Sequence, residues 1–359
     1  LAAAIAVPAL AQTTSTWIGG SGNWEPCPQD SGTALWDTCS GDIYPDGNAI
    51  AIVNGGPVTV NTGIGIVDLN VASGATVIVS LGYLNITGTG NAILNNGSIN
   101  VGPGNGLAVL GSSANLSGSG TVMMTDPNAN FHGTAGNPGP TLVNQQTIQG
   151  QGMLGIGMNI TNQGTINANA GTLNLEPNGM TNTGTLETSA GSTLLIESIE
   201  SGLQPVFNNT GGSIIANNGG TVQLQGSTWM GGTLETFGSG VIQATGSVFL
   251  NGLSNVGNLQ VIAAALQNTI TNTGVIQVTG TLNASGSATL TGMGEMTMSG
   301  AAVLRSLTGT DTLINQQTIF GSGTISALPL TNQGVINAFG GTLTLFEGTT
   351  VNMGLLGAV

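Results

Sequence analysis

The chain has 359 residues, a formal net charge of −14 and a single basic residue, Arg305, with 40 % hydrophobic and only 4 % charged content. Nothing in it can neutralise phosphates, which excludes nucleic acid as a partner and disfavours anionic membranes and polyanionic glycans. Gly is abundant, yet β-branched residues alternate with polar ones, a pattern that disordered chains lack.

Residues 1–11 are apolar and end in Ala9-Leu10-Ala11, an A-x-A cleavage pattern before Gln12, so they read as what is left of an export signal. The rival reading keeps them as an apolar strand that adds to a neighbouring subunit. No transmembrane segment is expected.

Residues 12–56 hold Trp17, Trp24 and Trp36, together with Cys27 and Cys39. They read as an N-terminal cap, because the first rung of a stack exposes an apolar cross-section and unpaired strand edges. In an exported protein the two cysteines are expected to form a disulfide. Asp37, Asp42 and Asp46 are the one candidate calcium cluster, but their spacing matches no EF-hand. No metal or other cofactor is expected.

From Ala49 the chain alternates in short runs such as AIAIV, PVTV and YLNI, punctuated by Gly, Asn and Pro, and residues 57–350 read as strands and turns throughout. Only Val261 to Leu266 shows a trace of helical spacing. Asp126-Pro127-Asn128, Gly136 to Pro140 and Ser201 to Pro205 read as loops leaving the regular structure. Residues 351–359 form an apolar end.

A long unit is written twice, at residues 144–175 (NQQTIQGQG…GTLNL) and 315–345 (NQQTIFGSG…GTLTL). Within it an Asn-x-Gly phrase precedes each alternating run and recurs at Asn95, Asn162, Asn182, Asn272 and Asn332, with looser versions at Asn209 and Asn255. Asn162 and Asn182 are 20 residues apart, and Asn315 and Asn332 are 17 apart. Such periods mark a solenoid whose units bury their apolar faces only by stacking. The expected fold is all-β: a right-handed parallel β-helix of roughly fifteen rungs, about 70 Å long at the inter-strand spacing. Val, Ile and Leu would lie inside, and the five phrase asparagines would form a hydrogen-bonded ladder along the corners.

Thr16 to Trp24 (TWIGGSGNW), Trp36, Pro45 and the run AIAIVNGGPVTVN from Ala49 resemble the opening of autotransporter-type and filamentous-haemagglutinin-like passenger regions of exported bacterial proteins. That resemblance implies a right-handed parallel β-helix with a surface or secreted role in adhesion, matrix or filament building. The chain departs from the autotransporter pattern in lacking amphipathic barrel strands at its C-terminal end. This favours a secreted subunit or a piece of a longer protein.

Catalytic constellations are thin. Lyase chemistry on acidic sugars needs a basic side chain beside carboxylates, and Arg305 has only Asp311 near it in sequence. Glu176, Glu187, Glu197 and Glu200 fall on successive rungs, with Glu235 further on, and could supply the carboxylate pair of a glycoside hydrolase. Their corner and strand positions read equally as solvated surface. His132 has no sequence-apparent acid partner for a triad, and Gly150, Gly152, Gly155 and Gly157 read as turn residues rather than a phosphate loop. Thr is scattered, which argues against an ice-binding array. Trp229 and Met230 read as fillers inside a rung.

The sequence therefore points to a non-enzymatic structural protein, a self-associating filament subunit or adhesin stalk at the cell surface, whose partners are further copies of itself or a surface or matrix ligand. The second reading is a polysaccharide-binding or polysaccharide-degrading β-helix protein.

Overall fold

The computed structural model describes residues 12–24, 36, 45, 47, 49–104, 106–134, 139–189, 191–197 and 205–358. The export-signal segment, the Cys27 and Cys39 disulfide, the calcium candidates Asp37, Asp42 and Asp46, and Glu200 lie outside the described residues.

Among the described residues there is no helix, and the strands stack in parallel as a β-solenoid of about 15 turns. Each turn contributes to three columns of strands. On one of them, Val58, Val77, Ile99, Val122, Ile148, Ile166, Leu186, Ile214 and Leu234 occupy a single register position on successive turns. All nine are buried. Alternation puts every second residue inside, and stacking repeats that residue at the strand spacing of about 4.8 Å, so a core forms from short strands that could not bury their faces alone. Among the described residues two isolated antiparallel bridges occur, Trp17–Trp36 and Pro103–Ala129.

Strands of the stack are already present within residues 12–56. Thr13–Trp17 already pairs in register with Ala49–Val53, and Gly22–Asn23 pairs with Val58 and Thr59. Trp17, Trp24 and Trp36 are all buried at this end. Their rings meet at 5.2 Å for Trp17 with Trp36 and 4.8 Å for Trp24 with Trp36. Three large rings fill the cross-section of the first turn.

The loop expected at Asp126 to Asn128 gives way to the stacking. Asp126-Pro127-Asn128 is an outward kink within the strand Thr121–His132, where the register shifts between Thr125 and Asn130, and not a loop that leaves the stack. Val261 to Leu266 is part of the strand Asn258–Asn272, because neighbouring turns on both sides supply ladder partners that outweigh the helical preference of its alanines. Trp229 fills the interior against Phe207, with ring centroids 5.3 Å apart, while Met230 points outward and is 37 % exposed. No described helix is long and apolar enough to cross a membrane.

Both copies of the NQQT unit lie in the same stack, but not on the same face. Asn144 ends a strand on the column of Asn159–Asn162, whereas Asn315 ends a strand on the column of Thr147 and Thr165. The second copy is displaced by one face around the axis.

Candidate functional site

The polar interior is the most elaborate construction in the molecule. Asn95, Asn162, Asn182, Asn272 and Asn332 are fully buried, and Asn144, Asn209, Asn255 and Asn315 are buried with them. These nine asparagines thus lie under the corners, out of contact with solvent. Asn144 Nδ2 donates to Asn162 Oδ1 (2.8 Å), Asn162 to Asn182 (2.7 Å) and Asn182 to Asn209 (2.7 Å). A second run links Asn255 to Asn272 (2.7 Å), and Asn315 to Asn332 and Asn332 to Asn352 (both 2.8 Å). Every amide donates toward the later turn, so the dipoles align and polarise one another. The same nitrogens also satisfy corner carbonyls, as Asn162 does for Gly164 and Thr185. This is what allows the backbone to turn without leaving buried acceptors unpaired.

Two gaps next to these runs are bridged in the same way. Continuing the register on either side aligns Asn95, Gly118 and Gln146, and likewise Asn272, Gly292 and Gln317. The glycine has no side chain, and the longer glutamine reaches past it. Asn95 Nδ2 donates to Gln146 Oε1 at 3.1 Å, and Asn272 Nδ2 donates to Gln317 Oε1 at 3.0 Å. Gln146 Nε2 returns hydrogen bonds to the carbonyls of Asn95 (2.5 Å) and Ser117. Only glycine fits between: Gly118 has φ +105° and a Cβ there would lie 2.4 Å from Asn95 O, while Gly292 has φ +110° and 2.1 Å to Asn272 O. The first run stops at Asn209, whose Nδ2 is buried without an acceptor among the described residues.

The acidic candidates separate into two groups. Leu175 and Ile196 are register partners, so Glu176 and Glu197 follow side by side on adjacent turns. Burial raises the Glu176 carboxyl above its ordinary value, and the charge of Glu197 adds to the shift. Glu187 stands on a different column, where Ile215 separates it from Glu235. Arg305 Nε donates to Asn283 Oδ1 at 3.1 Å. Burial works to raise the Asp311 carboxyl, but hydrogen bonds from the N–H groups of Thr308 and Gly286 (both 2.6 Å) and the hydroxyls of Thr308 and Ser306 (both 2.8 Å) override it. Its pKa is held well below the usual carboxylate range, as befits a corner clamp.

Hydroxyl side chains, scattered in the sequence, fall into file in space. Thr76, Ser98, Thr121, Thr147, Thr165, Thr185, Ser213, Thr233, Ser254 and Thr271 hold one register position on consecutive turns. The neighbouring outward position carries Ile78, Asn100, Met123, Gln149, Asn167, Glu187, Ile215 and Glu235. The hydroxyls form a single file, not the two-dimensional lattice that ice recognition requires.

His132 ends the strand Thr121–His132, and its Nδ1 lies 2.7 Å from the Gly133 carbonyl, which can only accept, so Nδ1 carries the proton. It borders a surface hollow of about 460 Å³ with Tyr83, Asn85, Gly104 and Asn130. Among the described residues no group of three or more His, Cys, Asp or Glu could hold a metal ion. Comparison with known proteins yields no relative: no family model, no curated protein and no solved structure matches this chain.

Proposed function

We propose that this chain is a structural rod, an exported bacterial surface protein that works as an adhesin stalk or as a subunit of an extracellular filament. The observation that supports this most directly is the pair of one-way amide runs inside a continuous parallel stack. Each turn is tied to the next by backbone ladders and, along much of the length, by a buried side-chain bond, so extension along the axis loads many hydrogen bonds in parallel. The scarcity of charge supports lateral and end-to-end contact between copies, since little repulsion opposes strand-edge pairing.

Electron microscopy of negatively stained protein tests both arms. Straight particles of about 70 Å, or fibres whose width matches one stack, are expected, and sedimentation should show species that grow with concentration. Compact spherical particles would overturn the rod, and a strictly monomeric rod at high concentration would overturn the filament arm. The polysaccharide-degrading alternative has one point in its favour, the adjacent Glu176 and Glu197 with the raised Glu176 carboxyl. Release of reducing ends from a neutral polysaccharide, abolished by Glu176→Gln, would establish it in place of the structural role.

A further inference from the structure

The two buried amide runs leave a stretch of the stack without one. The first ends at Asn209, on the column of Asn182, and the second begins at Asn255, the register partner of Leu234 on another column. Between them no asparagine is buried among the described residues. Over Asn209 the chain places Gly231 and Gly232, at φ +70° and +74°. A Cβ on Gly232 would meet Asn209 Nδ2 at 2.2 Å, so no side chain fits there to accept its bond. Asn209 Nδ2, Ser227 Oγ, Trp229 Nε1 and Thr245 Oγ1 are all buried without a partner among the described residues. Each such group loses its hydration and gains nothing in return. Ser247, at φ +64°, adds a left-handed residue that is not glycine.

Backbone pairing thins at the same place. The turn of residues 228–245 meets the next through three register positions on one column (228–230 with 249–251), two on the second (Thr233 and Leu234 with Ser254 and Asn255) and three on the third (242–244 with 259–261). The turn of residues 159–175 meets that of 179–196 through four on every column. The side-chain ties across the thin interface lie outside. Gln223 Nε2 donates to Gln243 Oε1 at 3.3 Å, and Gln243 Nε2 to Gln260 Oε1 at 3.1 Å, between half-buried amides that water can reach. Apolar stacking continues within, Trp229 against Leu250 and Ile242 against Leu259, so the stack is closed at rest.

We infer that this interface is a joint, the place away from the two ends at which the stack parts first, dividing it into segments that each keep their own amide run. In a quasi-one-dimensional stack each turn is held only by its neighbours, so the weakest interface sets where opening starts, whatever the stability of the rest. Tension along the axis is released there before the amide runs are loaded to breaking. The inference needs only the stack of a single chain, and failure of the stalk or filament reading leaves it standing.

The test is native-state hydrogen exchange of the whole chain, read by mass spectrometry with residue-level fragmentation. The N–H groups of Gly231, Phe249, Ser254 and Val256 donate across the joint, and those of Thr183, Thr185 and Ser189 across the fully paired interface. Relative to their unprotected rates, the first set should exchange about tenfold faster or more than the second. Gln243→Ala removes both outer ties and should speed the first set a further threefold or so. Gln145→Ala removes the exposed bond to Gln163 beside an intact Asn144–Asn162 bond, and should leave Gln163 and Thr165, which donate across that interface, at their parent rates. Both changes lie on the surface, and the parent measurement decides the location of the joint without them. Equal exchange of the two sets, or faster exchange between Asn144 and Asn209 or between Asn255 and Asn332 than at the joint, would overturn the assignment. A Gln243→Ala effect no larger than that of Gln145→Ala would remove the outer glutamines from it.

Discussion

Replacing Gln146 by Ala tests the idea that a glutamine side chain can stand in for a missing rung. Gln146 Oε1 accepts from Asn95 Nδ2, and its Nε2 donates to the Asn95 and Ser117 carbonyls, all in the interior. Asn95 Nδ2 keeps the Thr121 carbonyl at 3.2 Å and Asn95 O keeps the Gly120 N–H at 2.8 Å, so the loss is of hydrogen bonds rather than of every partner. At about 1 kcal/mol for each of three bonds, plus a void the length of the removed amide, the cost is about 3–4 kcal/mol. Two controls share the motif. Gln145→Ala removes only an exposed bond to Gln163 and should cost less than about 1 kcal/mol. Gln317→Ala removes one accepted bond, because Gln317 Nε2 has no acceptor among the described residues, and should fall between them at about 1–2 kcal/mol. Urea unfolding gives the ranking. Hydrogen exchange gives the location, since a quasi-one-dimensional stack should lose protection within a turn or two of Gly118 and not throughout. Equal effects for Gln145→Ala and Gln146→Ala, or uniform loss of protection along the chain, would refute the bridging role.

Three further outcomes follow from the same structure. The raised Glu176 pKa means that the folded state prefers the protonated acid, so Glu176→Gln should raise the melting temperature at neutral pH, with the gain fading as pH falls through the carboxyl range; calorimetry at pH 7 and pH 4 checks this. Asp311 has the opposite sign. Its depressed pKa contributes stability above the unfolded-state carboxyl pKa that is lost as pH falls toward the folded one, so Asp311→Asn should destabilise at pH 7 and progressively less in strong acid. Gly118→Ala places a Cβ 2.4 Å from Asn95 O at φ +105° and should cost at least about 3 kcal/mol, whereas Gly74→Ala, at φ +78° with nothing within 4 Å, should cost about 1 kcal/mol by denaturant titration.

The asparagine runs also explain why this chain can be so poor in charge. A buried amide that both donates and accepts satisfies the corner backbone without ionised groups, and the same residue can recur at 2.7–2.8 Å contacts turn after turn. Like charges at that spacing would repel. The price of the device appears at Asn209, where the following turn supplies Gly231 and Gly232 in place of an amide and one donor is left over.

Much of the architecture was legible from residues alone. Period-two alternation specified strands and the repeated Asn-x-Gly phrase specified stacking, because these are local patterns that recur from turn to turn. What the residues could not disclose is which of them share a register position. Linked asparagines are separated by 17 residues at Asn255–Asn272, 20 at Asn162–Asn182 and 27 at Asn182–Asn209. Excursions at the corners absorb those differences without disturbing the columns. Hence the reach of Gln146 over Gly118, the single file of hydroxyls, the pairing of Glu176 with Glu197 and the hollow bordered by Tyr83 and His132 exist only in the folded stack. Sequence distance sets how much chain lies between two turns, but backbone pairing decides which side chains meet.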